Sequence, residues 1–212
     1  GSIAIDTPED LRKIKVIKNI LFDFDGVIID SLPIRTHGLR KTFSEYNNKQ
    51  VDKLIIYHQL NGGVSRFQKI KYFYSKILKK NVSEKIKREK ALIFSKLVTS
   101  KLCDKNLLIK ETINFIKKNF KKFNLHIVSA SEQNELRFIC KYLKIDKYFN
   151  TIIGSPKKKD VNINNIINVY KYKRSETVLI GDAINDYDAA IKNNIFFIEF
   201  NNNNLKKIQN IK

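Results

Sequence analysis

Asn19-Ile20-Leu21-Phe22-Asp23-Phe24-Asp25-Gly26 is the stretch that decides the fold. Ile20, Leu21 and Phe22 run together without the alternation of a half-exposed strand, so residues 19–25 read as a strand buried on both faces, ended by Gly26. The rhythm after Cys103 supplies the partners such a strand needs. An amphipathic helix over 107–120 leads to a short buried strand at 125–129 and a helix over 132–143. A strand at 151–154, a helix over 161–172, a strand at 177–181, a helix over 186–193 and a last strand at 195–200 complete the pattern. Strands alternating with helices pair in parallel through right-handed crossovers, so the expected fold is α/β, a doubly wound parallel sheet.

Residues 33–100 break this rhythm. Phe67, Ile70, Phe73, Tyr74, Ile77 and Leu78 fall at three- and four-residue steps, as do Ile86, Ile93 and Leu97, and Asn61-Gly62-Gly63 is the strong interruption. With no strand signal, this stretch reads as an all-helical insertion. The expected division is an N-terminal segment (1–18), a core built from 19–30 and 101–212, and an inserted helical unit (31–100).

The 212 residues suit one domain carrying a smaller insertion. A chain 42% hydrophobic and 29% charged is globular rather than disordered, and no apolar run is long enough to span a membrane. Cys103 and Cys140 form no CxxC pair, which excludes zinc held by cysteine and suits a reducing, cytoplasmic setting. The formal charge of +20 raises nucleic acid as a partner; residues 31–100 alone hold 16 Lys and Arg against 4 Asp and Glu. The cations are scattered and accompanied by abundant Asn and Ile, the usage of AT-rich coding, so no nucleic-acid partner is expected. His37, His58 and His126 have no mutual spacing that suggests a site.

Ligands of open parallel sheets bind beyond the carboxyl ends of the strands. Those ends carry Asp23 and Asp25, then Ser129-Ala130-Ser131, then Gly154 to Asp160 with three lysines, then Gly181-Asp182 followed by Asp186. Asp23 and Asp25, two apart, are expected on one side of the strand. Two carboxylates beside Asp182 repel unless a cation sits among them, and an all-oxygen set favours a hard ion, Mg²⁺ where phosphate is bound. One aspartate, held ionised, serves as nucleophile; its neighbour, protonated part of the time, works as acid and base. The Ser129 hydroxyl and a lysine complete a cradle for phosphoryl oxygens. Lys159, beside the helix-starting Asp160, is favoured over Lys158 and Lys157.

These motifs, in this order, resemble those of the haloacid dehalogenase-like superfamily of phosphatases and phosphomutases: L-F-D-F-D-G-V-I-I-D-S, then Ser129, a lysine, and G-D-x-x-x-D at 181–186. The resemblance implies that Asp23 forms an aspartyl-phosphate, while Asp25 protonates the leaving group and then activates water. It implies a Mg²⁺ held by Asp23, the backbone carbonyl of Asp25, and Asp182, with Asp186 assisting. Ser129 and the Ala130 amide grip phosphate. The helical insertion corresponds to a cap that closes over the substrate, hinged at Asp30 and Ser31. Its Gly62-Gly63-Val64-Ser65-Arg66 loop reaches the site, where Arg66 would bind a second part of the substrate. Read from the residues alone, the loop is equally a helix-linking turn capped by Ser65.

Ala4-Ile5-Asp6-Thr7-Pro8-Glu9-Asp10-Leu11 resembles the closing segment of sugar nucleotidyltransferases such as cytidylyltransferases, and Thr7-Pro8-Glu9-Asp10 also carries a helix-start signature. With no Met in the chain, and Gly1-Ser2 resembling a cloning remnant, it suggests a phosphatase unit from a bifunctional enzyme. The expected activity is Mg²⁺-dependent hydrolysis of a small phosphate monoester, a sugar or sugar-acid phosphate. The alternatives are a sugar phosphomutase and a nucleic-acid end phosphatase.

Overall fold

All four residues of β1 (Asn19–Phe22) are buried because strands flank it on both edges and helices cover both faces. In the computed structural model, which describes residues 17–200, β1 lies at the centre of a five-stranded sheet. With β2 (Asn124–Glu132), β3 (Thr151–Ser155), β4 (Thr177–Gly181) and β5 (Phe196–Glu199), the order is β3-β2-β1-β4-β5 and every pairing is parallel. The chain moves outward from β1 to β3, then crosses back to β4 on the other side. That reversal places a crevice at the carboxyl end of β1.

Four helices follow the core strands: α5 (Lys110–Asn119), α6 (Gln133–Tyr142), α7 (Lys159–Tyr170) and α8 (Ile184–Lys192), the insertion supplying α1 (Leu32–Thr42), α2 (Asn48–Leu60), α3 (Arg66–Tyr72) and α4 (Glu84–Leu102). Alternate residues of the strands serve opposite faces. Leu21, Val128, Leu179 and Phe197 pack against Ile163, Ile166 and Ile167 of α7 and Ala189 and Ala190 of α8. Ile20, Phe22, Ile127 and Val178 face Ile113 and Ile116 of α5 and Leu136, Ile139 and Cys140 of α6. Each such Val, Leu, Ile or Phe side chain, buried in full, contributes roughly 1.5–3 kcal/mol.

Element ends depart from the sequence expectation around β2 and α7. Glu132 ends β2 instead of starting a helix, because its carboxylate accepts hydrogen bonds from the Asn134 and Glu135 amides at 3.0 and 2.9 Å. α7 begins two residues early, at Lys159. β2 continues past Ser129, with a register shift against β3 between Val128 and Glu132.

The insertion is helical throughout its described length, α3 ending in one wider turn over Phe73–Ile77. Phe43 and Phe73 pack at 4.3 Å within its own core, beside a Tyr46–Tyr74 hydroxyl contact of 2.8 Å. Its two connections to the sheet run side by side: Asp30 N donates to Leu107 O at 2.8 Å and Ile109 N to Ile28 O at 3.0 Å. His126 is a core residue, its ring nitrogens 2.7 Å from Thr151 Oγ1 and 3.0 Å from the Tyr172 hydroxyl. His37 is exposed. Cys103 and Cys140 are buried and unpaired. No helix among the described residues is long and apolar enough to cross a membrane. The nucleotidyltransferase-like segment at 4–11 with its helix-start signature, and the Asn-rich basic tail, lie outside the described residues.

Candidate active site

Asp23 stands one residue beyond β1, its amide donating to Ile180 O of β4 at 2.9 Å. Position in the sheet therefore sets its backbone, and its side chain is almost wholly buried. Asp182 follows β4 immediately and Asp186 lies in the first turn of α8, where its Oδ2 accepts from the Ala183 amide at 3.1 Å. Carboxylate oxygens of Asp23, Asp182 and Asp186 all lie within 4.8 Å of one another. Burial, then the charges of Asp186 and Asp182, push the Asp23 carboxyl well above its usual range. Burial and Asp186 likewise raise Asp182 to about 7.

Lys159 offsets part of this repulsion. Its ammonium lies 2.9 Å from Asp23 Oδ1 and also pairs with Asp186 Oδ1. Burial opposes its charge, but Asp186 and Asp23 outweigh burial and hold it protonated. Of the three consecutive lysines, Lys159 alone is buried here; Lys157 and Lys158 are exposed. The remaining excess of negative charge, on oxygen ligands without His or Cys, suits a hard cation. Among the described residues, Asp23, Asp182 and Asp186 form a group able to hold one.

Asp25 belongs to a different set. It lies in the turn after β1, and its carboxylate accepts from Arg35 Nε at 2.6 Å, Ser131 Oγ at 2.7 Å and the Ser31 hydroxyl. Burial works to raise its pKa, but the Arg35 charge and these hydrogen bonds bring it down to about 2. The expectation that Asp25 is protonated part of the time is thus corrected for this arrangement. Nor does its side chain join the Asp23 cluster: the strand ends at Phe22, so period-two geometry no longer applies at 25.

The register shift in β2 takes Ser129, Ala130 and Ser131 out of the regular ladder beside this crevice. Ser129 Oγ accepts from the Ser131 amide at 3.1 Å, leaving its own hydroxyl proton available to donate. Ala130 lines the cavity that contains Asp25 and Asp182.

Arg66 lies at this cavity but offers no free charge. Its two terminal nitrogens bind both oxygens of Glu135, one at 2.9 Å; Ser95 takes a further contact, and Phe94 lies 4.9 Å beneath. The expectation that Arg66 receives part of a substrate is corrected: a buried guanidinium needs a carboxylate partner, and Glu135 is already that partner. Both readings of its loop hold in part. Ser65 caps α3 through the Gln68 amide at 3.4 Å, while an added Cβ on Gly63 would stand 2.9 Å from Asn185 Cβ, so the loop does reach the crevice.

Arg35 and Glu135, together with Lys69 and His58, which line the same cavity, are functional candidates that the sequence reading missed. Their signal was a charged side chain on an apolar stripe. Glu135 stands four residues before Ile139, and Arg35 four before Leu39, and all four residues are buried.

Gly26 is the backbone position the site depends on most. Its φ is +79°, and a Cβ there would lie 2.0 Å from Asp182 Oδ2. Gly26→Ala is expected to displace Asp182 and lower turnover by roughly 10²-fold with modest loss of fold stability, as steady-state kinetics beside a melting curve will show.

The model of the haloacid dehalogenase-like hydrolases matches residues 20–200. Among curated proteins, the chain is 26% identical over 184 residues to a phosphoglycolate phosphatase of Colwellia psychrerythraea, covering 83% of this chain and 80% of that one. It is 23% identical over 145 residues to a phosphorylated carbohydrates phosphatase of Thermotoga maritima, covering 66% and 62%. A crystal structure of β-phosphoglucomutase from Clostridium difficile superposes with a TM-score of 0.71 at 21% identity over 90% of this chain and 88% of that one. The family match spans the whole sheet and the four strand ends that carry Asp23, Ser129, Lys159 and Asp182, and on that extent the chain belongs to the haloacid dehalogenase-like hydrolases.

Proposed function

We propose that the protein is a Mg²⁺-dependent cytoplasmic phosphatase of small phosphate monoesters, sugar or sugar-acid phosphates, acting through an aspartyl-phosphate. The observation that carries this reading is the pairing of Asp23, at the crevice floor, with Lys159 and two further carboxylates. The phosphatase names of the two curated relatives support the substrate class. Two buried unpaired thiols support the compartment.

Bound among Asp23, Asp182 and Asp186, the cation would neutralise their charge and that of the phosphoryl oxygens. Asp23 Oδ attacks phosphorus, forming an O–P bond as the ester P–O bond breaks and the sugar oxygen leaves. Lys159 and Ser129 meet the phosphoryl oxygens, and the helical insertion keeps bulk water out. Asp25, ionised in this arrangement, is set to take the proton of the water that opens the aspartyl-phosphate and releases inorganic phosphate. Protonating the leaving oxygen in the first step requires Asp25 to leave Arg35 and take up a proton from solvent, which it then gives to that oxygen, becoming the ionised base of the second step.

Inorganic phosphate released from a panel of sugar and sugar-acid monophosphates, with Mg²⁺ and without it, tests the reading. Turnover that needs the metal is expected. Conversion to an isomeric phosphate without release would make the protein a mutase, and turnover confined to nucleic-acid ends would overturn the small-molecule assignment.

Arg35 also sets a pH dependence. It holds Asp25 ionised, so Arg35→Met lets the Asp25 pKa rise by about 1–3 units. Where opening of the aspartyl-phosphate limits turnover, the acid limb of the kcat profile is expected to move upward accordingly, because the ionised Asp25 that this step needs is lost sooner as pH falls. An unmoved acid limb would remove Asp25 from the base role.

A further inference from the structure

One carboxylate of the core receives side chains from three helices of the insertion. Glu135 stands buried in the first turn of α6. Its oxygens accept from Arg35 of α1 at 3.3 Å and from Thr99 of α4 at 3.1 Å. Both terminal nitrogens of Arg66, on α3, also donate to it, one at 2.9 Å. Four such bonds fill the acceptor capacity of a carboxylate. Burial works against its charge, but the Arg66 hydrogen bonds and the Arg35 charge hold it below the usual carboxylate range, so it is ionised.

The Arg35 fork carries this grip to the crevice. Its nitrogens reach three parts of the core: Nη1 goes to Glu135, Nη2 to Ser131 Oγ at 2.8 Å and Nε to Asp25 Oδ1 at 2.6 Å. The Ser131 hydroxyl in turn donates to Asp25 Oδ2 at 2.7 Å. A guanidinium is planar and rigid, so fixing two of its nitrogens fixes the line of the third. Arg35 and Arg66 also line the cavity of about 150 Å³ that holds Asp25 and Asp182, which puts the contact at the wall of the reaction space. Stability alone does not call for it. A buried Arg–Glu–Arg set is often no better than apolar side chains of the same volume, because desolvation offsets most of the attraction. That near balance suits a contact which forms in one register and can still part, water then meeting all three charges.

Resting on the phosphatase reading above, we propose that Glu135 is a positioning residue for the reaction: it seats the helical insertion on the core in one register and, through Arg35, fixes where the Asp25 carboxylate stands. Glu135 itself touches no reacting atom. Loss of the seat lets bulk solvent reach the aspartyl-phosphate, and with it alcohols that the seated insertion excludes. The oxygen of such an alcohol attacks phosphorus, and the new O–P bond forms as the Asp23 Oδ–P bond breaks. The alcohol proton passes to Asp25, and the product is a phosphate ester of the alcohol in place of inorganic phosphate.

The test follows p-nitrophenyl phosphate turnover by the Mg²⁺-loaded protein in the presence of glycerol, with phosphorus NMR reading the ratio of glycerol phosphate to inorganic phosphate. Glu135→Gln is expected to lower kcat roughly ten- to hundredfold and to raise that ratio severalfold. Glu135→Asp, which keeps the charge on a shorter arm, is expected to fall between. Because Glu135→Gln leaves buried arginines short of a counter-charge, the double variant Glu135→Gln/Arg66→Met is made beside it. Removing both partners costs less stability, and the same raised ratio is expected. A second readout needs no turnover: spin labels on Lys53→Cys of α2 and Lys117→Cys of α5, both exposed positions, give one narrow distance in the otherwise unaltered protein and a broad distribution with Glu135→Gln. Either readout unmoved, whatever the fall in kcat or Tm, overturns the positioning role and leaves a phosphatase. A broadened distribution with Glu135→Gln, alongside no phosphate release from any ester by the unaltered protein, sustains the seat and overturns the phosphatase.

Discussion

Asp23→Asn is expected to lower phosphate-ester turnover by roughly 10⁴-fold or more while leaving the fold intact. The amide keeps the size and position of the carboxylate but has no lone-pair charge with which to attack phosphorus. Stability should move the other way. Asp23 is buried and its carboxyl is held well above the usual range, first by burial and then by Asp186 and Asp182, so its ionised form is disfavoured in the metal-free protein. Replacing it with a neutral group relieves that repulsion, and Lys159 retains Asp186 as its partner. A gain of ~1 kcal/mol corresponds to a rise of about 2–4 °C in Tm for a chain of this size. The pair of measurements is kinetics with Mg²⁺ and a thermal melt in chelator. Full activity in Asp23→Asn would dismiss the nucleophile; lost activity with a lowered Tm would mean the variant is merely misfolded.

The sheet was legible in the sequence because burial on both faces leaves a plain mark: Ile20-Leu21-Phe22 and Thr177-Val178-Leu179-Ile180 have no polar alternation, and they turned out to be adjacent central strands. Residues at strand ends were legible for the same reason, since topology alone carries Asp23, Ser129 and Asp182 to one edge. Lys159 could be picked from three lysines because a helix start fixes which side chain turns inward, and only Lys159 is buried. The second layer was not legible. Arg35, Arg66 and Glu135 come from two inserted helices and a core helix, and meet only because the insertion folds back over the crevice. No spacing in the chain encodes that approach. The charge state of Asp25 is not legible for the same reason, because the guanidinium beside it is ten residues away on another element.

Lys159→Met is the second large effect, and it separates the metal's role from the lysine's. The ammonium bridges Asp23 and Asp186, all three side chains being almost fully buried. Removing one partner from a buried ion pair costs about 3–5 kcal/mol, because the other charge is left uncompensated. At neutral pH and without metal, a loss of ~3 kcal/mol lowers Tm by about 6–12 °C. The size of the loss depends on pH in a definite direction. The Asp23 carboxyl, already raised above 3.8, rises further when the lysine is gone, and Asp182 is at about 7. Between these limits the folded chain holds protons that the unfolded chain has released, so stability falls as pH rises from about 4 to 7. The variant is therefore expected to approach the parent's Tm near pH 4.5 and to fall furthest below it above pH 7. A cation seated among Asp23, Asp182 and Asp186 neutralises the same carboxylates, so millimolar Mg²⁺ should restore much of the lost Tm at pH 7.5. Turnover should remain down by roughly 10³-fold even then, since a cation on the carboxylates does not replace the donor to the phosphoryl oxygen. A pH-independent loss would mean that Lys159 contributes packing rather than charge. Recovery of full turnover with the metal would mean that its sole task is to hold the acidic cluster together.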